Sequence, residues 1–520
     1  MAEIASSFEN VNIRSFPKKE LDPVSRMESL QPGFTERSLA PNEETHRGFK
    51  PRHAQMIAIG GAIGTSLFLG SGMVLRVGGP GFLLLSYALN CLIVYGIMTA
   101  IAEVATYSPV PGATMSYFAD RYVSRSFGVA LGYLYWYSLG ILVPYELTAT
   151  TLLMSYWNPT VSPALWMSII LLGIIIVNFL PVSYYGEVEF WSAGLKVLLI
   201  IGLICFSFIL CVGGGPSHDR LGFRYWVTPG ATKTYILEGG VGRLIACLQC
   251  FVLASFAFVL APEQLIVTVG EMQSAEVNLP KASRRYFWRL LLLFIPTVVG
   301  IGVVCPSNAE DLDSSGASSS PFVIAIRIAG IPALDSIVNA LVLSSAITAA
   351  NAFLYSSSRN LYSLAVARNA PSIFRRCNKH GLPYISVATS ALFGGLAYMS
   401  LSSTSLTVFN WLINLTNTSG YISWIGCSII YFRFRKSCDY KEITPPYRSR
   451  LQPWAVYFSL FASLLLLFLN GFTVFFPSQW SYESFLTSYI GIPAFLAIYI
   501  CHRCSTWNDP WLKAINDIEM

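Results

Sequence analysis

The 520-residue chain is 54% hydrophobic, only 12% charged, and carries a formal net charge of +6. Soluble domains hold about 25% charged residues, so this composition excludes an ordinary soluble protein. Apolar runs of about 20 residues, each long enough to cross a hydrocarbon core of roughly 30 Å, recur along the sequence. The shorter alternating segments expected of a β-barrel do not, which leaves an all-α integral membrane protein.

Residues 1–50 read as a polar, disordered cytoplasmic tail, with no apolar run to serve as a cleavable signal peptide. The tails are candidate sites for phosphorylation or for ubiquitin-ligase adaptors. Twelve transmembrane helices are then predicted, near 53–76, 81–107, 127–157, 164–181, 187–212, 242–269, 285–305, 332–366, 385–401, 405–432, 453–475 and 483–501. The first ten make a core over 51–435, the last two occupy 436–503, and 504–520 is a second cytoplasmic tail. Lysine and arginine crowd the loops after spans 2, 6, 8 and 10 (Arg121, Lys281, Arg375 and Lys436 among them), whereas the loop after span 7 carries Glu310, Asp311 and Asp313. Positive charge marks the cytoplasmic side, so both termini are expected inside.

Several local patterns carry no chemistry. Asn414 and Asn417 match the glycosylation tripeptide but fall inside span 10. Most of the 11 cysteines lie in apolar runs, and the pairs Cys247/Cys250 and Cys501/Cys504 lack the clustered partners a metal needs. No cofactor, metal or nucleic-acid site is expected, and no constellation of catalytic groups marks an enzyme. With no ATP-binding loop, any pumping must draw on an ion gradient.

The informative anomaly is "GGAIGTSLFLGSG" in span 1, where glycines cluster in the middle of a membrane segment. Gly60 and Gly64 form a GxxxG pair, which can simply let helices pack closely. Span 6 has a breaker too, Pro262 in "SFAFVLAPEQLIV". Spans 1 and 6 correspond if the first ten spans are two inverted repeats of five, and interrupted spans at matching places point to a midplane binding site. Freed N–H groups favour an anion and freed carbonyls a cation, which suits a zwitterionic amino acid. The N–H groups of Ile63, Gly64 and Thr65 are the expected carboxylate site. The carbonyls around Ala58, Ile59, Phe256 and Ala257 are the expected ammonium site.

"RHAQMIAIGGAIGTSLFLGSG", "VGGPG", "YYGEVEFWSAGLKV", "NLPKASRRYFWR", "SSSRNLYSLAVARNAPSIF", "VFNWLINLT" and "YFRFRK" stand in register over about residues 46–477. With them the chain resembles the fungal amino acid permeases of the amino acid–polyamine–organocation superfamily. The resemblance implies a five-plus-five inverted-repeat core with broken helices 1 and 6 and two further C-terminal helices. It also implies proton-coupled uptake of amino acids at the plasma membrane, by alternating access of spans 1, 2, 6 and 7 against the remaining core. An amino acid sensor of the same fold is the alternative. Aromatic lids are common beside such sites in the family, which makes Phe258 a lid candidate.

Ionisable residues within spans are functional candidates by default. Glu146 follows Pro144 in span 3, Lys196 lies in span 5 and Glu263 follows Pro262. Lys196 resembles the proton-cycling lysine of superfamily relatives. Burial disfavours the charged form of a lysine, so it can release and regain a proton, with Glu146 or Glu263 as its partner. Glu103, near the end of span 2, reads as one half of a structural pair. Where the family usually places small residue, Gly, Thr and Glu, this chain has Leu260, Ala261, Pro262 and Glu263, and Ser66 replaces a usual glycine. These departures leave the substrate range open, with neutral amino acids preferred.

Overall fold

A membrane offers no water to satisfy a bare backbone, so a chain of this composition must close its hydrogen bonds within helices. The computed structural model describes residues 64–108, 114–157, 160–216, 218–269, 275–312, 320–402, 405–518 and 520, and contains no strand among them. A π-helical turn, Ser66–Gly70, leads into α1 (Ser71–Tyr107), followed by α2 (Met115–Tyr122), α3 (Arg125–Met154), α4 (Pro163–Asn178) and α5 (Val182–Val212). Next come α6 (Gly239–Ser255), α7 (Ala261–Val269), α8 (Ala275–Val304), α9 (Pro321–Ile328) and α10 (Leu334–Val366). The chain closes with α11 (Tyr384–Ala391), continued as a 3-10 helix over Leu392–Leu401, then α12 (Ser405–Tyr440), α13 (Trp454–Leu469), α14 (Tyr482–Tyr489) and α15 (Gly491–Ser505).

Among the described residues, seven helical segments are long and apolar enough to span a membrane, and α14 with α15 makes an eighth, bent by 43°. The shorter apolar helices α4 and α6 fall at predicted spans 4 and 6. α1 holds the end of predicted span 1 and all of span 2. They are separated at Gly79, whose φ of 79° lies in the left-handed region that glycine enters without penalty, followed at once by Pro80. The amide of Gly81 then donates to the Ala231 carbonyl at 2.7 Å, tying this corner to the loop after α5.

The bundle is apolar on its outside. Leu165, Ile169, Leu172 and Ile176 of α4, and Phe461 and Phe468 of α13, are exposed, as lipid-facing side chains should be. α3 and α10 pack on each other in the interior. Polar side chains inside are tied to nearby backbone, as where Ser138 donates to Leu134 O at 2.6 Å and Thr416 to Leu412 O at 2.8 Å. Such back-bonding is how a hydroxyl is tolerated in the interior of a helix.

Glu103, wholly buried, has structural partners. It accepts from Ser449 N at 2.6 Å, from Tyr431 Oη at 3.1 Å and from Arg435 Nη1 at 3.4 Å. The same end of the bundle receives the segment after α15. Lys513 donates its amide to Val123 O (2.9 Å) and its ammonium to Asp120 (3.3 Å), and Arg433 donates to the Lys513 carbonyl. Lys441 donates to Ile518 O at 2.6 Å, and the Ile518 side chain is completely buried.

Candidate functional site

Gly64 and Thr65 open the half-helix that continues into α1. Ala58, Ile59, Gly60 and Ile63 lie outside the described residues. Thr65 donates its hydroxyl to Glu146 Oε2 at 2.8 Å and points its amide at Glu146 Oε1 at 3.4 Å. The hydroxyl also lies 3.2 Å from Tyr145 Oη. Glu146 sits on α3, two residues after Pro144, and is 1% exposed. Gly64 lies directly against it, and a Cβ there would collide with Glu146 Oε1. The positive N-terminal end of this helix is thus faced by a carboxylate from within the protein, as its dipole favours.

The second interruption lies upstream of where Pro262 alone would put it. α6 ends at Ser255, residues 256–260 form a turn, and α7 begins at Ala261. Pro262 therefore occupies the first turn of α7, where its missing N–H has no intrahelical partner to lose. The chain reverses hand at Leu260 instead, with φ of 60°. That is an uncommon conformation for a bulky residue, held by complete burial of the leucine.

The first described helical turn and the turn at 256–260 meet. Ser66 from the first, Phe256, Ala257 and Val259 from the second, and Tyr145 and Glu146 from α3 surround a narrow cavity of about 20 Å³, room for little more than one water molecule. Phe256 closes one side, its ring edge-on to Tyr145 at 4.7 Å between centroids. Phe258 does not line this cavity. It is fully buried between Tyr87 and Phe294, at 5.6 and 5.2 Å.

Lys196, 2% exposed on α5, lies within electrostatic reach of both Glu189 and Glu146. Glu263 is held in a different direction. It accepts from Ser423 and, at 3.9 Å, from Cys427 of α12, and Tyr135 of α3 bonds Ser423 at 2.8 Å. Glu189 is a buried acid that span-by-span reading passes over. Its signal in the sequence is its place seven residues before Lys196 in "GEVEFWSAGLKV", two turns away on the same helix face.

A helix start and a helix interruption converging on a buried cavity, with ionisable side chains buried beside it, are features of secondary transporters. The chain belongs to the amino acid permease family, whose model matches residues 53–510, a family of transporters rather than enzymes. It is 40% identical over 508 residues to the proline-specific permease of Emericella nidulans, covering 95% of this chain and 92% of that one. It is 39% identical to the dicarboxylic amino acid permease of Saccharomyces cerevisiae, covering 88% and 76%. The manganese transporter of Eremococcus coleocola shares the fold, with a TM-score of 0.56 at 12% identity over 88% of this chain and 94% of that one.

Proposed function

We propose that this protein takes up a small neutral amino acid, with proline the first candidate, across the plasma membrane together with protons, both termini being cytoplasmic. The observation that carries the reading is the Glu146 carboxylate on Thr65. A substrate carboxylate seeking the same N–H groups meets a charge already there, and two carboxylates sharing a site cannot both stay ionised. Protonation of Glu146, or its withdrawal toward Lys196, frees the position. Substrate and proton then favour the same rearrangement, which is what symport requires. In alternating access the Glu146–Thr65 contact joins the moving bundle (spans 1, 2, 6 and 7) to the scaffold, so it is broken and remade in the cycle.

The neutral class is supported by the cavity lining, which holds one acid and no basic residue among its described members. An acidic substrate would call for a cation there, whereas apolar walls suit proline. The proline-specific relative supports the same choice.

Lys196→Met in proteoliposomes, with radiolabelled proline as substrate, tests the coupling. The variant is expected to exchange proline across the membrane but not to concentrate it against a gradient. Uphill accumulation with the wild-type pH dependence would remove Lys196 from the coupling path.

A further inference from the structure

We propose that Glu189 carries the transported proton from Lys196 toward the cytoplasm. This rests on the proton-symport reading above and adds the exit that reading lacks.

Glu189 is completely buried, and neither of its carboxylate oxygens has a hydrogen-bond partner of normal geometry among the described residues. A buried acid with a structural role is supplied with donors, since leaving it bare is costly. Glu103 shows what such provision looks like here, with a backbone amide, a tyrosine hydroxyl and an arginine on its two oxygens. Glu189 has nothing comparable. Its neighbour Asn351 of α10 accepts from Asn178 at 2.8 Å through its side-chain oxygen and turns only its neutral amide toward Glu189, outside normal hydrogen-bond geometry.

The position fits a relay. With both termini cytoplasmic, as proposed above, α5 starts at the cytoplasmic end of the bundle, and Glu189 lies between Lys196 and the cytoplasm, about 10 Å below it along the helix axis. Helical side chains lean toward the N-terminus of their helix, which directs the long arm of Lys196 toward Glu189. The carboxylates of Glu189 and Glu146 both act on the lysine charge. Lys196 therefore stands between an acid at the substrate cavity and an acid on the cytoplasmic side.

The groups around this path are few in kind. Lys196 shares α5, Asn351, Tyr355 and Arg359 come from α10, and Asn178 from α4. Beyond Glu189 toward the cytoplasm, Tyr185 stacks on Tyr355 at 4.5 Å, and the Arg359 guanidinium lies over the Tyr355 ring at 4.5 Å. These side chains are buried, so this layer closes the route in the state described. The step is a plain proton transfer. The Lys196 ammonium gives its proton to the Glu189 carboxylate, leaving a neutral amine and a carboxylic acid. When the tyrosine layer parts, the acid gives the proton to cytoplasmic water and is again a carboxylate.

The test uses purified full-length protein in liposomes containing a pH-sensitive dye, with proline as the probe. Glu189→Gln is expected to keep proline exchange at equal pH on both sides. Its uphill accumulation and proline-driven internal acidification should fall by ~100-fold or more, in the range removed with a proton-transfer group. Glu189→Asp, which keeps a carboxylate, should restore part of the coupling with a displaced pH profile. Wild-type accumulation and pH dependence in Glu189→Gln would overturn the assignment. If that variant does not fold, an unaltered pH profile in Glu189→Asp overturns it instead. Wild-type protein that transports proline with no acidification would refute the symport reading itself, and this relay with it.

Discussion

Phe256 and Phe258 stand two residues apart and do different work. Phe258 fills an aromatic cluster with Tyr87 and Phe294, and Phe256 stands at the cavity against Tyr145. Truncating a fully buried phenylalanine costs about 3–5 kcal/mol. Phe258→Ala is therefore expected to lower the thermal midpoint in detergent and leave the ranking of competing amino acids unchanged. Phe256→Ala should change that ranking with a smaller loss of stability. A competition panel and a melting curve on both variants decide, and a ranking altered by Phe258→Ala alone would exchange the two roles. The sequence could not separate the pair, because helical periodicity does not apply to a segment that leaves the helix at 256–260. Glu146 and Lys196 were legible because a charge inside an apolar run stands out. Glu189 stands two residues after Glu187 near a span end, where an acid does not stand out in this way.

At the scale of elements, the second interruption shows how far composition leads. Pro262 announced that span 6 is not continuous, and two half-helices are present. Proline can equally open a helix, however, so it marked the neighbourhood of the turn and not its place. Leu260, where the chain reverses, carries no such signal. A left-handed conformation costs a non-glycine residue about 1–2 kcal/mol, while removing a buried leucine side chain costs about 2–5 kcal/mol. Packing outweighs strain, so Leu260→Gly is expected to destabilise the protein despite suiting the backbone. A raised melting temperature in that variant would show that strain dominates. α12 also runs to Tyr440, beyond the predicted end at 432. Its basic last turns are not lipid-soluble, but Arg435 is anchored by Glu103 and the Ser437 hydroxyl by the Arg433 carbonyl. Hydropathy sees the lipid boundary and not these contacts.

For the whole molecule, the all-helical architecture followed from composition alone, since no other backbone arrangement matches such long apolar runs. The docking of the segment after α15 did not. Its polar residues read as solvated, and its contacts are made largely by backbone atoms of Lys513 and Ile518 to distant side chains. Burying an isoleucine side chain contributes about 1.5–3 kcal/mol, and a charge in its place adds a desolvation cost. Ile518→Asp is expected to reduce thermal stability while leaving the order of preferred substrates intact. An unchanged melting curve would mean that the segment does not hold the bundle in solution. A fluorescent reporter attached after Met520 would join the protein two residues from a side chain with no exposure at all. Dimming of such a fusion in cells would then reflect a loosened anchor as readily as altered traffic. Quantifying the same variant through a label placed in an exposed loop separates the two.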